Sequence, residues 1–296
     1  EKHFNSMYDP AGGDSEEAIA NRRIARKRLS SRQRPILLRR VKTEVAKDLP
    51  ERLEQRHDCE LGLDQRKLYL AELRRSRDTV METIQTKGVA KSRMQVLAAL
   101  TRLRQICCHP SLVGNDSSSG KTDALFDLLE PLVAQGEKVL VFSQFVKMLK
   151  ILEKDCGTRE IPTHMLTGET KNRQDVVNAF QESEGAGIFL LSLRAAGTGL
   201  NLTPASYVVL YDPWWNPAVE NQAIDRTHRI GQKNQVIAYR LLTRDSVEEK
   251  IRVLQHQKTA LVTNVLGDEG FASNLALEDL QFILSHGGEM EGDFDD

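Results

Sequence analysis

The residues best suited to chemistry in this sequence are two arginines three positions apart, Arg226 and Arg229. Asn216 suits the cap, and Pro217 the first position, of a helix that is predicted to run to residue 229. At about 100° per residue, one face of this helix would carry four polar side chains: Gln222, Asp225, Arg226 and Arg229. Arginines held in this way can enter a phosphate site and offset the charge that develops in phosphoryl transfer. The alternative interpretation is a solvated helix face without a ligand.

Polar side chains also follow short apolar segments that are predicted to be strands. These strands alternate with helices between residues 121 and 245, which is typical of a parallel sheet covered by helices on both faces. In such a sheet, ligands bind outside the carboxyl ends of the strands. The polar residues at these ends are Ser143, Gln144, Thr167, Gly168, Ser192 and Asp212. We therefore expect them to complete a site together with the arginine helix.

The segment that follows Ser192 has the composition of a phosphate-binding loop. Gly197 and Gly199 permit close approach of the backbone to a phosphate, while Thr198 and Asn201 supply hydrogen-bond donors. One glycine loop alone does not identify a phosphate site. The prediction therefore depends on the neighbouring strand ends and arginines as well.

Residues 119–122, Ser-Gly-Lys-Thr, look like the end of a nucleotide-binding P-loop. Asn115 occupies the position of the first glycine, however, and a serine-rich segment precedes the motif where a P-loop requires a strand. We therefore expect an ordinary helix start after a flexible linker over residues 114–120. No convincing pair of carboxylates at a strand end could hold Mg²⁺. The chain thus offers arginines for a γ-phosphate without a cradle or a metal site, as half of a two-lobed ATPase would.

The composition is that of a globular chain with an uneven charge distribution. The 296 residues are 40% hydrophobic and carry a net charge of −1. Positive charges dominate residues 22–47 and can follow a nucleic-acid backbone, whereas residues 267–296 carry only negative charges. We find no signal peptide, no membrane-length apolar run and no Cys-x-x-Cys metal motif. We therefore expect an intracellular protein of a nucleus or a bacterial cytoplasm, without a membrane partner, and a piece of a longer chain.

Two long amphipathic helices precede the α/β pattern, over residues 64–84 and 89–107. Their apolar residues recur at helical spacing, so the two helices are predicted to pack on each other. The chain is accordingly divided into four predicted parts. They are a basic connecting segment at 1–58, a helical unit at 59–118, an α/β domain at 119–245 and a last helix with an acidic tail at 246–296.

Six segments together resemble the second RecA-like lobe of superfamily 2 helicases of the Swi/Snf type. They are Leu37–Glu51, Leu103–Pro110, Lys138–Gln144, Ser192–Leu202, Asp212–Pro217 and Gln222–Gln232. The Arg-Thr-His-Arg-Ile-Gly-Gln ending and the Trp-Asn-Pro sequence are specific to this branch. The resemblance implies a RecA-like parallel sheet with helices on both faces, an all-helical protrusion on its N-terminal side and a C-terminal brace helix.

The resemblance also implies a function. Members of this family use ATP to move along double-stranded DNA, with ATP and Mg²⁺ held mainly by a first RecA-like lobe. Residues 1–58 would connect to that lobe, and a protein–DNA complex would be the remodelling target. The family usually has Gly-Gly where this chain has Ala196-Gly197, so we expect a slightly stiffer loop.

Individual roles follow by the same resemblance. Arg226 and Arg229 would be arginine fingers, supported by Gln222 and Asp225. The contacts to the nucleotide would include Gly197, Thr198, Gly199 and Asn201, and these residues would couple the ATP cleft to DNA. The contacts to DNA would be Ser143, Gln144, Thr167, Gly168, Arg173, Ser192 and Trp215.

Two other functions fit parts of the sequence. An RNA helicase would have a similar lobe, but the Trp-Asn-Pro sequence and the helical protrusion argue against it. A non-catalytic RecA-like binding module would need neither the two arginines nor Gln222 and the glycine loop.

Overall fold

The computed structural model describes residues 16–33, 46, 48–88, 91–196, 199–257 and 275–285. Residues 1–48 and 49–296 form two compact units. The first contains helix α1 (Glu16–Gln33). The rest of the basic segment, residues 34–45, lies outside the described residues.

The second unit is built on a parallel sheet of six strands. The strands are β1 (Arg52–Cys59), β2 (Lys138–Ser143), β3 (Thr163–Leu166), β4 (Gly187–Ser192), β5 (Tyr207–Leu210) and β6 (Val236–Thr243). Their order in the sheet is β1-β6-β5-β2-β4-β3, and each neighbouring pair is parallel. Ser143 lies beside Ser192 in this register, so β2 and β4 end together.

Helices cover both faces of the sheet. They are α2 (Leu63–Lys87), α3 (Arg93–Cys108), α4 (Gly120–Ala134), α5 (Val146–Thr158), α6 (Arg173–Glu182), α7 (Leu193–Ala196), α8 (Pro217–Ile224), α9 (Val247–Gln257) and α10 (Leu277–Ile283). Alternate residues of β2 belong to different apolar clusters: Leu140 and Phe142 to one, Val139 and Val141 to the other. Because both faces are buried, the strands are continuous apolar runs, and the predicted α/β fold is confirmed.

Helices α2 and α3 pack on each other as predicted, but they do not stand apart from the end of the chain. Residues of α9 and α10 share their apolar cluster, and the Val247 amide donates to the Tyr69 hydroxyl at 2.8 Å. The predicted boundary at residue 58 also cuts through β1, which pairs with β6 as part of the main sheet. The helical layer and the sheet therefore share one domain.

Residues 119 and 120, at the end of the segment predicted as a flexible linker, are held in place by backbone contacts. The Ser119 hydroxyl donates to the Cys108 carbonyl at 2.7 Å. A Cβ on Gly120 would lie 2.1 Å from the Glu60 carbonyl oxygen, so no larger residue fits there. Glycine is required at this position by backbone packing and not by a phosphate.

Lys121 shows why this motif is not a P-loop. Its side chain is 1% exposed, and its Nζ donates to Glu248 Oε2 at 2.5 Å and to the Tyr211 carbonyl at 3.3 Å. Burial lowers the pKa of Lys121, but the groups around its ammonium, led by the Glu248 carboxylate, together raise the pKa above its usual value. The ammonium group is thus paired inside the domain and is not exposed to a nucleotide phosphate.

We predict that Lys121→Met lowers the free energy of unfolding by about 3–5 kcal/mol, because it leaves the Glu248 carboxylate buried without its cation. Adding Glu248→Gln should recover much of this loss, since the amide still accepts from the Thr243 amide. Urea denaturation measures both effects, with Lys150→Met on exposed α5 surface as the control. Unchanged stability in Lys121→Met would contradict the role of the buried pair.

Candidate functional site

The helix that leads to the two arginines ends earlier than predicted. Asn216 caps α8, accepting from the Ala218 amide at 2.9 Å, and Pro217 takes the first position as expected. The helix stops at Ile224, however, where the Thr227 hydroxyl donates to the Ile224 carbonyl at 2.8 Å. Both arginines therefore lie in the turn that follows, residues 225–232, which we call the arginine turn. The prediction that they share a helix face is wrong.

Gln232 holds this turn against the segment before β5. Its Nε2 donates to the carbonyls of Thr203 and Ala205, each at 3.0 Å. The Leu202 amide donates to the Arg226 carbonyl at 2.9 Å. Gly231 has a φ of +103°, which favours glycine at the end of the turn. These contacts fix the backbone that carries the arginines.

Arg226 is a buried cation that lies beside a second guanidinium group. It is 4% exposed, and its Nε atom has no hydrogen-bond partner among the described residues. Burial and the Arg229 guanidinium lower the pKa of Arg226, and Asp225 opposes this shift only in part. Arg229 is half-buried and donates from Nη1 to the Leu200 carbonyl at 3.2 Å. An anion bound beside these guanidinium groups would supply the missing acceptor and charge.

The expected supports of the arginines differ in their surroundings. Gln222 is exposed, and Asp225 forms an ion pair with Arg52 of β1, in which Arg52 Nη1 lies 3.5 Å from Asp225 Oδ1. His228 Nε2 lies 2.8 Å from the Pro50 carbonyl oxygen. Sequence reasoning missed Arg52 and His228, because only the pairing of β1 with β6 brings residue 52 to this turn.

A second polar group lies at the carboxyl ends of the strands, around the fully buried Asp212. Its carboxylate accepts from the Ser143 hydroxyl at 2.5 Å and from the Gln144 amide at 3.3 Å. Burial raises the pKa of Asp212, and the guanidinium of Arg104, 3.8 Å away, opposes the shift in part. The hydroxyl of Ser143 is therefore committed to Asp212, so Ser143 supports this edge from beneath.

Trp215 is not on the surface. Its ring is 1% exposed and lies against Arg104, whose guanidinium carbon is 4.4 Å from the ring centroid. Arg104 also donates to Gln144 Oε1 at 3.2 Å, and Gln255 Nε2 donates to the Trp215 carbonyl at 2.8 Å. The ring fills the interior between α3 and α9, so the contact of Trp215 with DNA stays a prediction and would require the ring to become exposed.

The remaining predicted contacts of this edge vary in accessibility. Gly168 is exposed, whereas Thr167 is buried and its hydroxyl accepts from the Glu169 amide at 3.3 Å. Arg173 donates to the Ala195 carbonyl at 2.9 Å, and its buried Nε has no partner among the described residues. Ser192 is buried, and its hydroxyl accepts from the Ala195 amide at 3.3 Å.

The glycine segment runs between the two groups of polar residues. Gly197 and Thr198 lie outside the described residues. Gly199 is exposed with a φ of +52°, and Asn201 is exposed, with its carbonyl accepting from Gln181 Nε2 at 2.6 Å.

The structure divides the predicted site between two opposite edges of the sheet. One edge is formed by the N-terminal ends of the strands, and the other is formed by their C-terminal ends. Partners of the arginine turn precede strands: Pro50 precedes β1, and Leu202 precedes β5. Ser143 and Ser192 instead end strands β2 and β4. Because the strands are parallel, these are opposite edges. The expectation of a single site is wrong, and residues 193–206 connect two separate regions.

Neither region provides a metal site in the part of the chain that the structure describes, where no group of three His, Cys, Asp or Glu side chains could hold an ion.

Burial raises the pKa of all four cysteines, so they remain thiols in the interior. Within the same described ranges, no helix is long and apolar enough to cross a membrane.

Comparisons with known proteins agree with this geometry. The sequence profile of the "Helicase conserved C-terminal domain" matches residues 120–231, and that of the "SNF2-related domain" matches residues 2–112. The chain is 35% identical over 308 residues to the Mus musculus protein "SWI/SNF-related matrix-associated actin-dependent regulator of chromatin subfamily A member 1". This alignment covers 96% of the chain and 29% of the mouse protein, so the chain spans less than a third of that relative.

Two solved structures from Sulfolobus solfataricus are similar to the fold. The C-terminal domain of its SWI2/SNF2 ATPase has a TM-score of 0.64 and 29% identity, covering 79% of this chain and 98% of that one. The SWI2/SNF2 ATPase core in complex with double-stranded DNA has a TM-score of 0.67 and 29% identity, covering 96% of this chain and 60% of that one.

The burial of Trp215 can be tested by fluorescence, because Trp214→Phe leaves it as the single tryptophan of the chain. We predict that acrylamide quenches its emission poorly and that duplex DNA leaves this quenching unchanged, since Arg104 and apolar side chains already cover the ring. Strong quenching that DNA suppresses would return Trp215 to the DNA-binding surface.

Proposed function

The chain belongs to the Swi/Snf-type family of superfamily 2 helicases, and we propose that it is the C-terminal motor lobe of an ATP-dependent double-stranded-DNA translocase. The observation that carries this proposal is the buried Arg226, whose Nε lacks a partner among the described residues and whose neighbour is a second arginine. Such a pair suits an anion that enters from outside the domain. In a two-lobed ATPase, that anion is the γ-phosphate of ATP bound to the other lobe.

The chemical task of the two arginines is to stabilise charge. In phosphoryl transfer, negative charge spreads over the oxygens of the transferring group, and guanidinium donors fixed beforehand lower the barrier. ATP and Mg²⁺ would be held mainly by the first lobe, where the metal neutralises phosphate charge. Arg226 and Arg229 then act as arginine fingers, with Asp225 and Gln222 beside them. Their fixed backbone supports this role, because rigid donors need no reorganisation during the reaction.

The edge of the sheet at which β2 and β4 end, opposite the arginine turn, suits the backbone of DNA. Gly168 is exposed there beside Gln144, Thr167 and Arg173, and the buried Nε of Arg173 has no partner among the described residues. Ser143 and Ser192 lie beneath this surface. Similarity to an ATPase core that was solved with double-stranded DNA supports the choice of ligand. Contacts of this kind position the duplex without reading its sequence.

Residues 193–206, which connect the two edges of the sheet, would couple ATP hydrolysis to movement along DNA. One end, at Ser192 and Ala195, contacts Arg173, and the other contacts the arginine turn through Leu200 and Leu202. Gly197, Thr198, Gly199 and Asn201 lie along this path. A shift at the ATP-facing end can therefore reach the DNA-facing end through one short stretch of chain.

We assign the remaining parts of the chain by the same family membership. Residues 1–48 connect to the first RecA-like lobe, helices α2 and α3 form the protrusion, and α9 starts the brace. A protein–DNA complex is the target on which the whole motor acts.

In the full-length protein, we predict that Arg229→Ala lowers the turnover of ATP by about 10³-fold or more, because a finger acts mainly on the transition state. ATP affinity should change little, since the first lobe supplies most of the binding. Steady-state hydrolysis and nucleotide titration measure the two quantities, with Arg244→Ala on the exposed surface as the control. Turnover that survives in Arg229→Ala would refute the finger assignment.

Duplex DNA should stimulate ATP hydrolysis by the full-length protein more strongly than single-stranded RNA of the same length. The stimulation should weaken as salt rises, because contacts to phosphates release counterions. Equal stimulation by RNA would favour an RNA helicase, and hydrolysis independent of any nucleic acid would contradict the DNA-facing edge.

A further inference from the structure

We propose that Arg52 is a positioning residue that holds the arginine turn against the chain segment entering β1. In this way it sets where Arg226 and Arg229 lie. The inference rests on the proposed function, because it concerns how the fingers are placed for catalysis.

A single guanidinium group spans the point where α8 ends and the arginine turn begins. Arg52 Nη2 donates to Asn221 Oδ1 at 3.1 Å, and Arg52 Nη1 lies 3.5 Å from Asp225 Oδ1. Glu54 pairs with the same guanidinium and also with Arg240 of β6. Arg52 is thus oriented by its own strand and by a neighbouring strand, while its two remaining contacts reach across to the end of α8 and to the start of the arginine turn.

Two more contacts join the same short segment to this region. His228 Nε2 lies 2.8 Å from the Pro50 carbonyl, and since a carbonyl only accepts, this nitrogen carries the proton. The Val236 amide donates to the Glu51 carbonyl at 3.3 Å. Three consecutive residues, 50 to 52, therefore contact residues on both sides of the fingers. His228 itself precedes Arg229 directly in the chain.

The consequence for catalysis follows from where this segment leads. Residues before 49 belong to the part that we assign to the connection with the first lobe. The arginine turn thus contacts Pro50 and Arg52, which directly follow that part in the chain. On its other side, the turn contacts Leu200 and Leu202. Without Arg52, the Asp225 carboxylate loses this ion pair and the start of the arginine turn loses its tie to β1. A misplacement of about 1 Å at a reacting group can cost about 10²-fold in rate.

The test compares Arg52→Ala with a matched control, Arg56→Ala. Arg56 lies four residues along β1 and is exposed, and it pairs with Asp58 and Glu249 instead of the arginine turn. Amide hydrogen exchange over residues 225–232 is measured in the 296-residue chain, which reports the position of the turn without any catalysis. ATP turnover with saturating duplex DNA is measured in the full-length protein, with kcat and KM determined separately.

We expect Arg52→Ala to raise hydrogen exchange in the arginine turn and to lower kcat by about tenfold to 10²-fold, with KM for ATP within about twofold of the unchanged protein. Arg52→Lys should recover only part of kcat, because one ammonium cannot bridge Asn221 and Asp225. Arg56→Ala should match the unchanged protein in both measurements.

Exchange in the turn that does not respond to Arg52→Ala overturns the inference. A kcat that stays unchanged in Arg52→Ala, or that falls equally in Arg56→Ala, also overturns the inference. The proposed function is unaffected by these results as long as the unchanged protein hydrolyses ATP in response to DNA. Absence of that hydrolysis in the unchanged full-length protein overturns the proposed function, and the catalytic role of Arg52 with it.

Discussion

A buried cation requires an anion nearby, and the cations of this domain differ in whether the domain itself supplies one. Leaving such a charge unpaired costs several kcal/mol. Lys121 is neutralised by Glu248, and Arg240 by Glu220 and Glu54, all within the described residues. Arg226 instead lies beside another guanidinium, and its Nε has no partner among the described residues. This difference is the reason for proposing that an anion from outside the domain, the phosphate of a shared site, completes it.

The parallel register of the sheet decides where the other parts of the machinery lie. It collects the polar strand ends at one edge and the arginine turn at the opposite edge. Under the proposed function, nucleotide and DNA would then act on one domain without competing for the same surface. Residues 193–206 and the segment entering β1 are the two chain paths that meet at the arginine turn, so both are suited to transmit movement to it.

Local patterns predicted the strands and most helices, because strands buried on both faces are continuous apolar runs and surface helices repeat at helical spacing. The end of α8 was missed because the Thr227 hydroxyl and the Gln232 amide override the helical pattern. The burial of Trp215 and the role of Arg52 depend on partners more than 100 residues away in sequence. The spacing of residues does not reveal such contacts, so the arginines were identified while their surroundings were not.

The most direct test of the shared site is a structure of the full-length protein bound to duplex DNA and to ADP with a metal fluoride that imitates the transferring phosphoryl group. We expect Arg226 and Arg229 to reach this analogue at hydrogen-bonding distance, about 3 Å, from a lobe other than the one that holds it. We also expect DNA at the opposite edge, near Gly168 and Arg173. An analogue fully coordinated without either arginine, or DNA lying against the arginine turn, would rule out the shared site.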